Sequence, residues 1–248
     1  REAVKMWSWQ RERKAEGNAP ASVEREANDK LRAKYFDTKK LEFEQLCEEG
    51  DAGGCFSLGE WYLHFDRNPT KAHEMFNLAC KDMGHGNACF HLALLHQAGR
   101  QGEETDEERK VATFDLSKKA CEYKNWEGCT LAGSCKLTGF GCSKSVDEAK
   151  EYFALGCKEN DAGACFKLGK LFLDGKEKHG IPRDPKASFQ HMLRACNLGH
   201  PNACQVLAVM YKKGDGVEAN EKLHEKYKTL TADIIRQTGE RMGASVVG

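Results

Sequence analysis

The 248-residue chain has no apolar run approaching the roughly 18–20 residues that a membrane helix needs, so a bilayer-spanning reading is excluded. It has no net charge either, with 38 Lys+Arg against 38 Asp+Glu. Without a basic excess to displace counterions, nucleic acid is not an expected partner. Proline is scarce, at five residues, and no stretch alternates with period two for long enough to read as a strand. Catalytic signatures are missing too. Penicillin-binding chemistry needs S-x-x-K and K-T-G, and only Ser117-Lys118-Lys119-Ala120 and Lys228-Thr229-Leu230 come near, with the wrong spacing. His73-Glu74 and His224-Glu225 lack the second histidine of a zincin helix. Gly214-Asp215-Gly216 follows a helical pattern, so it reads as a turn and not as a dinucleotide loop. There is no C-x-x-C redox motif and no C-x2–4-C zinc spacing. No catalytic residue, cofactor or metal site is expected, and the chain reads as a non-enzyme.

What the chain has in excess is cysteine. Twelve in 248 residues is more than an ordinary reduced domain carries. Ten of them recur as Cys47/Cys55, Cys80/Cys89, Cys121/Cys129, Cys157/Cys165 and Cys196/Cys204, four as C-x7-C and the second as C-x8-C. The first members lie 33, 41, 36 and 39 residues apart, a period near 36 with two insertions. Neighbouring residues repeat with them. The second cysteine opens the stripes Cys55-Leu58-Gly59-Tyr62, Cys89-Leu92-Ala93-His96, Cys129-Ala132-Gly133-Lys136, Cys165-Leu168-Gly169-Phe172 and Cys204-Leu207-Ala208-Tyr211. That i, i+3, i+4, i+7 spacing is one helix face, and its small residue lets a second helix approach closely. Four residues before the first cysteine stand Phe43, Phe76, Ser117, Phe153 and Met192, a second helical stripe. His96, on a stripe held elsewhere by Tyr or Phe, reads as a packing residue.

Between the two stripes lie turns such as Glu49-Gly50-Asp51-Ala52-Gly53, Met83-Gly84-His85-Gly86-Asn87 and Leu198-Gly199-His200-Pro201-Asn202. Gly stops one helix, and Asp or Asn starts the next. The expected fold is therefore all-α: a solenoid of about five helix-turn-helix units over residues 38–217. An N-terminal basic arm (1–37) precedes it, and a C-terminal capping helix and tail (218–248) close it.

The A-C-x-x-G-x-x-x-A/G-C-x-x-L-G turn and the G-x-G-V/D-x-x-K-A segment after it resemble the Sel1-like repeat, a relative of the tetratricopeptide repeat, over roughly residues 38–230. A cysteine pair in every hairpin is similar to the disulfide-rich branch of these repeats. That branch includes secreted bacterial cysteine-rich proteins and a mitochondrial factor for cytochrome c oxidase assembly. Repeat three departs from the template with Ser117 and Lys136 in place of large apolar groups, after an acidic insertion at Glu103-Glu104-Thr105-Asp106-Glu107-Glu108.

The first cysteine closes one helix and the second opens the next, so the turn brings each pair to disulfide distance. Structural zinc and reduced cysteines packed as small apolar residues are the rival readings. Cys135 and Cys142 remain over. An even total favours a sixth bridge, and a free or partner-linked thiol is the alternative.

The chain opens on Arg1 with no apolar core of a secretory signal, so export by that route is not expected. Residues 1–40 hold 11 Lys+Arg against 7 Asp+Glu, with Trp7 and Trp9 in otherwise polar surroundings. These tryptophans are the expected partner-binding anchors, since aromatics dominate interfaces. The resemblance implies a non-catalytic scaffold in the mitochondrial intermembrane space. Its implied partners are protein subunits of a respiratory complex, most plausibly cytochrome c oxidase, through which alone it would reach a membrane. A secreted bacterial repeat protein with a peptidoglycan-related enzymatic or host-binding role is the alternative.

Overall fold

The computed structural model describes residues 21–99, 105–175 and 181–241. It is a run of helices: α1 (Ala21–Glu48), α2 (Ala52–His64), α3 (Pro69–Lys81), α4 (Gly86–Gln97), α5 (Asp106–Glu122), α6 (Trp126–Thr138), α7 (Val146–Lys158), α8 (Ala162–Asp174), α9 (Pro185–Asn197), α10 (Pro201–Lys213) and α11 (Glu221–Arg241). Each helix packs on the one before and the one after it, so α1/α2 through α9/α10 form five successive hairpins. The division expected at residues 37/38 falls inside α1, which is continuous from Ala21.

The turns use left-handed residues to reverse the chain. Gly50, Gly84 and Gly199 have φ of 85°, 68° and 88°, and Lys124 and Asn160 hold φ of 62° and 66° at the matching points of the other two turns. Asp51, Asn125 and Asp161 then cap α2, α6 and α8 by accepting from the amides of Gly54, Gly128 and Ala164. In the other two turns the start signal is not an Asn. Asn87 and Asn202 lie inside α4 and α10, and the caps are His85 and His200. Their Nδ1 atoms accept from Ala88 N at 3.2 Å and Ala203 N at 3.3 Å. Imidazole Nδ1 sits on Cγ as an Asn or Asp oxygen does, which lets a neutral histidine do the same work.

This makes the fold sensitive to acid. Burial holds the imidazoles of His85 and His200 below their usual range, against a weaker opposing pull from Asp51 and Asp161 respectively. Burial lowers that of His191 as well, with Arg194 adding to it. Below about pH 6.5 the unfolded chain takes up protons that the folded chain refuses, so stability present at pH 7.5 declines as the pH falls. The two caps should contribute about 1 kcal/mol each to that loss. Urea midpoints at pH 7.5 and 5.0 check it: an H85N/H200N variant should lose less than the native chain, and equal losses would dismiss the caps as the cause.

Between hairpins, small residues seat large ones. A Cβ on Gly59 would lie 2.5 Å from Phe76 Cε1, and one on Gly133 would lie 2.7 Å from Phe153 Cε1. Where the next first helix offers the small Ser117, the seat is Ala93, so repeat three departs from the template by exchanging sizes. Ser117 is fully buried and donates its hydroxyl to the Phe114 carbonyl at 2.8 Å. Lys136 lies over the Phe114 ring and reaches Glu148 with its ammonium at 2.8 Å, which lets a lysine occupy a stripe position. At the far end Tyr227 of α11 stacks on Tyr211, with ring centroids 5.5 Å apart. Leu230 and Ile234 pack on the same core, so α11 covers the apolar face of the last hairpin.

Candidate functional site: a stapled scaffold

The five matched pairs are disulfides. Cys47–Cys55, Cys80–Cys89, Cys121–Cys129, Cys157–Cys165 and Cys196–Cys204 have Cα separations of 4.4, 4.7, 4.5, 4.5 and 4.8 Å. Each joins the last turn of one helix to the first turn of the next. Nine of these ten cysteines are buried, and Cys47 is partly so. Neither zinc ligation nor a reduced packing role is left for them.

Cys135 and Cys142, expected as a sixth bridge, are free thiols. The reason lies in the repeat. Cys135 occupies the buried position that Trp61, Leu95, Leu171 and Met210 fill in the other hairpins, and so it points into the core as they do. Burial, with a smaller contribution from Cys142, pushes its thiol up to about 11, so it is protonated at neutral pH. Trp7 and Trp9 lie outside the described residues.

Among the recesses formed by the described residues, two stand out by their lining. A groove of about 310 Å³ between α8 and α10 has a floor of Leu173, Val206, Val209 and Met210. Its rim carries Lys213 and the Arg183–Asp215 ion pair, at 2.5 Å. The sequence did hold a signal for it: Val206 and Val209 stand i, i+3 on α10 but off the repeated stripe Cys204-Leu207-Ala208-Tyr211, and so mark a second apolar face. The other recess, about 280 Å³, lies along the turns between Asn125, Trp126 and Asp161. Here hairpins are linked edge to edge. Asn125 Nδ2 donates to Asn87 Oδ1 at 2.8 Å, and Thr130 Oγ1 donates to Asp161 Oδ1 at 2.7 Å. Arg194 donates to the Lys158 carbonyl at 2.8 Å. Neither recess is lined by a cysteine, serine or histidine. His96 is buried, its ring 5.4 Å from that of His73. Among the described residues one group, Glu221, His224 and Glu225, has the spacing of three metal ligands. There His224 Nδ1 is 2.8 Å from the Ala208 carbonyl oxygen and Glu225 pairs with Lys228 at 3.4 Å.

The model of the Sel1 repeat matches residues 52–82, 86–122, 126–161, 162–200 and 201–223. The chain belongs to the Sel1 repeat family. Those boundaries recast the architecture. A Sel1 unit here is the second helix of one hairpin with the first helix of the next, such as α2 with α3. The Gly59–Phe76 and Gly133–Phe153 seats therefore lie within units, whereas the four bridges from Cys80–Cys89 onward each tie one unit to its successor. This Sel1 array is joined covalently from unit to unit. Similar proteins include cytochrome c oxidase assembly factor 7 of Xenopus tropicalis, 28% identical over 217 residues that span 86% of this chain and 93% of that one. The Drosophila melanogaster homolog of that factor is 23% identical over 234 residues, covering 81% and 87%. A Sel1 repeat protein from Oxalobacter formigenes superposes with a TM-score of 0.64 at 18% identity over 79% of this chain and 82% of that one, a likeness of fold. No described helix is long and apolar enough to cross a membrane.

Proposed function

We propose that this Sel1 repeat protein is a non-catalytic scaffold that acts as an assembly factor, or stays on as an accessory subunit, of cytochrome c oxidase in the mitochondrial intermembrane space. The observation that carries this reading is the end-to-end similarity to the Xenopus assembly factor. The disulfides supply independent support for the compartment, since five such bridges form and persist where thiols are oxidised. Protein subunits are the partners, bound along the stacked hairpins, whose repeated edges and apolar α8–α10 groove present an extended surface. The basic arm adds Trp7 and Trp9 as anchors.

Deleting the gene should lower assembled oxidase on native gels several-fold while the other respiratory complexes stay level. In fractionated mitochondria the protein should resist protease until the outer membrane is ruptured. A W7A/W9A variant, folded normally by circular dichroism, should recover several-fold less oxidase subunit on purification. Normal oxidase levels in the deletion strain would end the proposal.

A further inference from the structure

The third hairpin breaks the repeat at one core position, and the loop after it carries a second free cysteine. Where four hairpins place Trp61, Leu95, Leu171 and Met210, this one places Cys135, a much smaller side chain, equally buried. The following segment folds back over the end of α6. Phe140 N donates to the Cys135 carbonyl at 3.0 Å, and Ser145 N donates to the Lys136 carbonyl at 2.9 Å. Between these two anchors lies Cys142, partly exposed and free. The loop is held from its other side as well: Gly141 presses so closely on α5 that a Cβ there would meet the Lys110 carbonyl oxygen at 2.0 Å. The two cysteines thus lie on one clamped turn, Cys135 buried and Cys142 partly exposed.

We propose that Cys135 and Cys142 form a reversible dithiol–disulfide site, loaded through Cys142 by a low-molecular-weight disulfide of the glutathione class, while the five hairpin bridges stay closed. In the forward direction the Cys142 thiolate attacks one sulfur of the carrier disulfide. The carrier S–S bond breaks, one carrier thiolate leaves, and a mixed disulfide forms on Cys142. Cys135 then loses its proton to solvent and attacks Cys142 Sγ, expelling the second carrier thiolate. The protein dithiol is oxidised by two electrons, one carrier disulfide becomes two thiols, and the two protons end on those thiols. Burial of Cys135 makes the second step the slow one, and its rate should rise about tenfold per pH unit between about pH 7 and 9, following the thiolate fraction. Closure would add a covalent tie to the two hydrogen bonds that already hold this segment on α6, beside the Lys136–Glu148 pair.

The test is intact-mass spectrometry of the full chain, acid-quenched and then alkylated in denaturant without added reductant, after equilibration in glutathione buffers from reducing to oxidising. The native protein should take two labels in reducing buffer and none in oxidising buffer, becoming two hydrogens lighter with no lasting adduct. Peptide mapping should then join Cys135 to Cys142 and leave the other five bridges unchanged. A C135S variant should trap one glutathione on Cys142, and a C142S variant should trap none; Ser is near-isosteric, and intact hairpin bridges in the same maps report that each variant has folded. Two labels surviving in fully oxidising buffer, or an adduct on Cys135 in C142S, would overturn the assignment.

Discussion

Reducing all five hairpin bridges should unfold the protein at 37 °C. Each closes a loop of about nine residues, and on the chain-entropy account each is worth roughly 2–3 kcal/mol. A domain of ordinary stability holds about 5–15 kcal/mol in total, so even partial additivity removes most of it. The effect is larger here than in a globular domain because a single Sel1 unit cannot bury its apolar face alone. The bridges from Cys80–Cys89 onward are the covalent links between successive units. Circular dichroism melts with and without a phosphine reductant check this, and superimposable melts would refute it. A single loss should be graded: C157A/C165A should cost about 2–5 kcal/mol and lower the melting midpoint by roughly 5–15 °C. Since Cys157 and Cys165 are buried, reduction at 25 °C should be slow and limited by local opening.

Phe153→Ala should cost about 3–5 kcal/mol, the largest effect expected of one substitution. Phe153 is fully buried, and its ring lies directly over Gly133 of the preceding helix, where even one added methyl would stand 2.7 Å from Cε1. Emptying that seat leaves a cavity between α6 and α7, two helices of one Sel1 unit that no disulfide joins. Gly133→Ala alone should cost about 1–3 kcal/mol by overpacking. In the F153A background the same change should cost at least about 1 kcal/mol less, because the new methyl then fills space instead of colliding. The repeat contains its own precedent in Ala93 and Ser117. Urea titrations of the four proteins of this cycle measure the coupling, and strict additivity would show that the glycine is not a seat.

Much of this was legible in the sequence. The cysteine period marked the hairpins, the i, i+3, i+4, i+7 stripes marked the buried faces, and the Gly-containing turns marked the reversals at Gly50, Gly84 and Gly199. Such features are local: they depend on residues within about ten positions of one another, which helix geometry relates directly. The His85 and His200 caps were missed because Asn87 and Asn202, two residues on, have the commoner capping side chain. The polar arm set apart at residue 37 is continuous with the first hairpin, because no helix stop stands between Ala21 and Leu41 and α1 runs through both. Parity could not place Cys135 and Cys142, because it is blind to the buried repeat position that Cys135 holds.

The sequence by itself therefore determined the helices, their pairing into hairpins and the five bridges, because adjacent helices with matched cysteines have one compact way to close. Only the tertiary structure decided which neighbour covers each stripe: Phe153 on Gly133, α11 on the last hairpin, and the open groove beside Val206 and Val209. A stripe states that a face is buried and leaves open what buries it. That depends on how successive hairpins are rotated against one another, a sum of many side-chain contacts between residues far apart in the chain.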